Sequence, residues 1–110
     1  GPLFEGFIAQ TIKAYRELGK LDCDQVSYWS AGKNSVEVDF ILERGKEIVA
    51  IEAKSGAEPD NKWFAGLNAL KETGKLRRAY LVYAGKRRYK HLSGAEVLPV
   101  QDFIKEIGRL

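Results

Sequence analysis

Apolar positions along this chain follow two periods, and the switches between them mark its elements. Between Leu3 and Leu18, Phe4, Phe7, Ile8, Ile12, Tyr15 and Leu18 recur at helical spacing, and Gly19 supplies a stop. Residues 25–30, QVSYWS, predict a strand, and residues 31–35, AGKNS, a loop. Residues 36–43, VEVDFILE, alternate strictly. Val36, Val38, Phe40 and Leu42 share one face, and Glu37, Asp39, Ile41 and Glu43 the other. RGKE then turns the chain into EIVAIEAK, a run apolar enough for a buried strand. Asp60 suits the N-cap of a helix carrying Trp63, Phe64, Leu67 and Leu70, with Gly74 beyond its end. RRAYLVYAG reads as another buried strand, AEVLPV as a short last strand and QDFIKEIGRL as a closing amphipathic helix. The predicted order is α-β-β-β-α-β-β-α, with a meander of three strands and one helical crossover. It implies a single α/β domain over residues 1–110, a mixed sheet covered by helices.

The turn sets the register of the second and third strands. With Gly45-Lys46 as a two-residue type II′ loop, Arg44 pairs with Glu47. Ile41 then faces Ala50, Asp39 faces Glu52, and Glu37 faces Lys54. On the other face Phe40 meets Ile51 and Leu42 meets Val49, an apolar surface consistent with that register.

Asp39 against Glu52 is the informative pair. Like charges facing across strands are destabilising, and a divalent cation between them resolves the conflict. Mg²⁺ is commonly held by one or two carboxylates with waters and phosphate oxygens. Lys54, on the face of Glu52 and two residues on, places a cation beside such an ion. There it can hold an attacking water or stabilise charge on a pentavalent phosphate. The alternative is a Glu37–Lys54 salt bridge with Asp39 and Glu52 solvated. Glu5 lies at the margin of the first helix's apolar face, looking toward the sheet. Taken alone, a first-turn glutamate complementing the helix dipole is the better account of it.

Composition narrows the chemistry. Hydrophobic content of 45% and charged content of 30% describe an ordinary globular chain, and no apolar run is long enough to span a membrane. Cys23 and His91 each stand alone, which removes disulfide frameworks, Cys/His zinc sites and Ser/His or Cys/His nucleophile systems. A reducing, cytoplasmic setting is expected. Gly1-Pro2 reads as a protease scar, so a piece of a longer protein is expected. The net charge of +3 is unevenly spread. Residues 75–91 hold Lys75, Arg77, Arg78, Lys86, Arg87, Arg88 and Lys90 with no Asp or Glu, interleaved with Tyr80, Tyr83 and Tyr89. Such a block suits a polyanion such as DNA. A strand edge protected by charge would also explain it.

A helix glutamate, a strand aspartate and then E-x-K after a hydrophobic run resemble the PD-(D/E)XK nuclease superfamily, which includes restriction enzymes and archaeal Holliday-junction resolvases. LFEGFIAQTI, VEVDFIL and IVAIEAKSG resemble more closely the nuclease-like domain found C-terminal to P-loop ATPase modules in bacteria and archaea. The resemblance runs from Phe4 to about Phe103. It implies a restriction-endonuclease-like α-β-β-β-α-β core and Mg²⁺ or Mn²⁺ as cofactor. By it Asp39 and Glu52 are metal ligands, the Ala53 carbonyl a further ligand, Lys54 the catalytic lysine, and Glu5 an accessory metal or water ligand. Val38 stands where the superfamily's name has proline.

Two functions follow from this reading. The first is a metal-dependent DNA endonuclease, acting on linear or branched DNA and paired as a homodimer, since one small domain carries one cleavage site. The second is a catalytically silent module that binds DNA or a protein partner for an attached P-loop ATPase. A metal-free interaction domain is a third reading, set back by the unpaired carboxylates. The first requires the full set of Glu5, Asp39, Glu52 and Lys54.

Overall fold

The computed structural model describes residues 1–32 and 36–110; Lys33, Asn34 and Ser35 of the expected AGKNS loop lie outside the described residues. Helix α1 (Pro2–Glu17) opens with proline in its first turn and stops before Gly19, whose φ of 74° only glycine adopts cheaply. Strands β1 (Gln25–Ala31), β2 (Val36–Arg44) and β3 (Glu47–Lys54) form the antiparallel meander. Gly45, at φ 61°, turns β2 into β3, and Lys46 keeps a negative φ, as the expected two-residue turn requires.

Asp60 caps the crossover by accepting from the Lys62 amide at 2.9 Å. The first turn it caps, Asn61–Phe64, is a 3₁₀ turn that runs on into α2 (Ala65–Lys71). The crossover delivers β4 (Leu76–Tyr83) parallel to β3. A two-residue β5 (Tyr89–Lys90), beyond the expected elements, precedes β6 (Glu96–Pro99), and α3 (Val100–Glu106) closes the fold. The sheet order is β1-β2-β3-β4-β6-β5, with β3, β4 and β6 parallel. The α-β-β-β-α-β order expected of the core is therefore the order observed.

Both faces of the sheet are filled. Phe40, Leu42, Val49 and Ile51 pack against Ile8 and Ile12 of α1 and Phe103 of α3. Val38, Ile41 and Ala50 pack against Phe64, Leu67 and Leu70 on the α2 side. Val38 thus lies on the face opposite Phe40, which corrects the strict alternation expected of β2. The cause is a β-bulge. Ser27 pairs with Ile41 but Trp29 pairs with Val38, so Tyr28 faces two residues, Asp39 and Phe40. On the α2 side, Gly66 rests against the main chain of β2. A Cβ at this position would collide with the Glu37 carbonyl oxygen.

Candidate functional site

The hairpin register is the expected one from Arg44–Glu47 to Phe40–Ile51, and there the pairing of β2 with β3 stops. The expected Asp39–Glu52 and Glu37–Lys54 positions lie just past its end. In place of ladder bonds, the carboxylates brace the parting strands. The Asp39 amide donates to Glu52 Oε1 at 3.0 Å, and the Ala53 amide donates to Asp39 Oδ2 at 2.8 Å. An extended residue turns its N–H and C=O toward the same neighbour, so the Ala53 carbonyl opens on the side of Asp39.

Glu52 is the one charged residue within the described core, only 6% exposed. Burial, then the hydrogen-bonded Asp39 carboxylate and its charge, push the Glu52 carboxyl up to about 8; the Asp39 amide and the Lys54 ammonium pull the other way. Lys54 Nζ stands 3.8 Å from Glu52 Oε2. The lysine therefore pairs with Glu52, and the rival Glu37–Lys54 bridge is not formed.

The first turn of α1 docks at the same end of the sheet. The Gly1 ammonium donates to Ser55 Oγ, one residue beyond β3, and Phe4 packs on the core. Glu5 begins a helical row continued by Ala9, Ile12 and Arg16. These three line a groove shared with Val26 and with Phe40, the neighbour of Asp39. Glu5 is thus on the flank of α1 that looks toward β2, and it is exposed. Among the described residues no group of three or more Asp, Glu, His or Cys is disposed to hold a metal ion. The set that fits a cation is Asp39 and Glu52: two hard oxygen donors, one of them buried beside a like charge, a pattern that suits Mg²⁺ or Mn²⁺.

The basic block does not form one surface. Lys75, Arg77 and Arg78 lie where β4 begins, the end of the sheet away from the carboxylates, and Arg78 Nη1 reaches the Tyr80 hydroxyl at 3.3 Å. Lys86 and Arg87 follow the other end of β4, beside the ends of β3 and β6. The Tyr83 hydroxyl fixes that loop, donating to the Arg87 carbonyl at 2.7 Å and accepting from its amide at 3.1 Å. Arg87 lies over the Tyr89 ring, 5.3 Å from its centroid. Arg88 is exposed but flanked by Glu96, Asp102 and Glu106 at 3.7, 3.8 and 3.1 Å, and Lys90 is exposed on β5. Composition hid those acidic partners, although the i, i+4 spacing of Asp102 and Glu106 on a helix hinted at an acidic row. The lone His91 stacks on Phe64, ring centroids 3.6 Å apart, and bonds Ser93 Oγ at 2.8 Å.

The domain is thus a mixed α/β fold with a braced carboxylate pair and a lysine where its central strands part. It belongs to the family described as Domain of unknown function (DUF4143), which the chain matches over residues 1–103. No curated protein matches the chain. Among the described residues no helix is long and apolar enough to cross a membrane.

Proposed function

We propose that the chain is a divalent-metal-dependent DNA endonuclease of PD-(D/E)XK type, with Asp39 and Glu52 as ligands of Mg²⁺ or Mn²⁺. The observation that carries this reading is the burial of Glu52 against Asp39, with Lys54 3.8 Å away, at the mouth of a bulged strand. Bound there, the ion would supply Lewis-acid polarisation of a phosphoryl oxygen. The chain's own residues do the rest. Asp39 and Glu52 hold each other's strands and so fix the distance between the two carboxyl groups. The Lys54 ammonium, over a third exposed, is positioned to meet negative charge as it builds on the phosphate. Lys86 and Arg87 stand at the same end of the sheet to receive the flanking backbone, whereas Glu5 is exposed on α1, which packs on the sheet face opposite the one Ala50 and Glu52 share.

A second reading is a silent nuclease-fold module serving an attached ATPase. It draws support from the association of DUF4143 domains with AAA ATPase-containing proteins. Incubation of the chain with linear and branched DNA, with and without Mn²⁺, separates the two. Metal-dependent cleavage abolished by Asp39→Ala supports the enzyme. Metal-independent DNA binding with no cleavage supports the module.

A further inference from the structure

The two edges of the sheet are managed in opposite ways. At one edge β5 is two residues long, ends in Lys90 and adjoins Arg87 and Arg88, the short and charged pattern that discourages strand addition. At the other, β1 presents seven residues, Gln25–Ala31, with no proline and no charged side chain. The three other strands longer than four residues, β2, β3 and β4, all lie inside the sheet and all carry charge. Among the described residues β1 pairs with β2 alone, and at its middle Tyr28 is 69% exposed. This is the reverse of the protection a monomeric sheet edge needs.

We propose that β1 pairs antiparallel with β1 of a second copy of this chain, about a two-fold axis at Tyr28, joining the two sheets into one. Under that symmetry each residue meets its counterpart across the centre: Tyr28 faces Tyr28, Ser27 faces Trp29, and Val26 faces Ser30. A charge at the centre would face its own copy and repel it. The neutrality of β1 is what an isologous strand pair requires, and a foreign acidic or basic peptide would gain no complementary charge from it. Alternation from Val26, which packs on the α1-side core, places both Tyr28 rings on that face. There the groove lined by Ile12, Val26 and Phe40, with a volume of about 370 Å³, adjoins the new seam.

The pairing stands apart from the nuclease reading, but its consequence for the two sites rests on it. Tyr28 is the residue opposite the bulge that carries Asp39. Three strand spacings of about 4.8 Å would then separate the two Asp39 backbones, roughly 14 Å in all, on the scale of the ~12 Å width of a DNA major groove.

The test needs neither metal nor DNA. Sedimentation of the wild-type chain over a range of concentrations should give twice the monomer mass, and Tyr28→Lys should give the monomer with unchanged circular dichroism. Mixing Tyr28→Lys with Tyr28→Glu should restore the doubled mass. In a Cys23→Ala background, Tyr28→Cys should form a disulfide on mild oxidation, because directly opposed residues lie within bridging distance. Gln25→Cys, whose copy lies at the far end of the pair, should not. A wild-type monomer at every concentration overturns the proposal. So does a dimer that ignores Tyr28→Lys and fails to cross-link at position 28. Cleavage activity decides the nuclease reading separately: a β1 dimer without cleavage leaves the pairing standing, and a cleaving monomer leaves the site standing.

Discussion

Asp39 and Glu52 each bind the other's strand: the Asp39 amide donates to Glu52 at 3.0 Å, and the amide after Glu52 donates to Asp39 at 2.8 Å. Two carboxyl groups too close to be charged together, so that Glu52 keeps its proton up to about pH 8, are thus tied together through the backbone. Substitutions at Asp39 should separate the two effects. Above about pH 8, where both carboxyls are ionised, Asp39→Asn keeps an oxygen for the Ala53 amide and loses the repulsion, so there it should raise metal-free stability by ~0.2–1 kcal/mol. Asp39→Ala leaves the Ala53 amide without a partner and should lower stability by about 1–3 kcal/mol. Both should abolish Mn²⁺ binding, read by water relaxation, while urea unfolding reads the stabilities. Unaltered Mn²⁺ binding in either variant would sink the ligand assignment.

Stability should depend on pH through Glu52. Its folded carboxyl is raised to about 8 from an ordinary value of 4.5, so the folded chain keeps a proton that the unfolded chain has released. That contribution is full below 4.5 and is lost as pH rises through about 8. Compared with Glu52→Gln, the metal-free wild type should therefore lose unfolding free energy across this window, and Mn²⁺ affinity should rise across it as the proton leaves. Parallel pH profiles for the two proteins would contradict the burial of a titrating Glu52.

Lys54→Ala should fold and still bind metal and DNA, yet cleave on the order of 10²–10³-fold more slowly, the scale for losing one electrostatic donor. Glu37→Ala is the control and should leave cleavage intact, because Lys54 pairs with Glu52. A Mn²⁺-dependent cleavage assay on the three proteins decides the matter; equal rates for wild type and Lys54→Ala would remove the lysine from the mechanism.

The seven cations of residues 75–91 should contribute unequally to DNA binding. Replacing Lys86 and Arg87 with Ala should flatten the log–log salt dependence of affinity by about 0.9 for each phosphate no longer neutralised. Arg88→Ala should leave the slope in place, because its guanidinium is already met by Glu96, Asp102 and Glu106. Fluorescence anisotropy at several salt concentrations checks this, and equal flattening by all three changes would mean that Arg88 leaves its carboxylates for DNA.

The hairpin is legible in the sequence because two independent signals agree on it: glycine at the turn and apolar pairs on one face. The bulge is not legible. It depends on a mismatch between β2 and β1, and β1 lacks the strict alternation that would reveal a missing partner residue. Residue pattern therefore puts Asp39, Glu52 and Lys54 on the right strands, while it gives Val38 the wrong face and leaves Glu37 as a rival partner for Lys54. The division of the basic block into two ends follows from the length of β4, since six residues of strand separate Arg77 from Tyr83 by about 20 Å. A count of charges carries no such distance. The partners of Arg88 come from β6 and α3, elements too far along the chain for any local pattern to reveal.

Gly66 gives the site a mechanical side. The helix that carries it lies directly on the Glu37 carbonyl, two residues before Asp39, while Glu52 and Lys54 ride on the neighbouring strand. A side chain at position 66 would collide with that carbonyl and force helix and strand apart two residues before Asp39. The spacing of the two carboxylates thus leans on the thinnest residue available, at a point that carries no charge and faces no solvent.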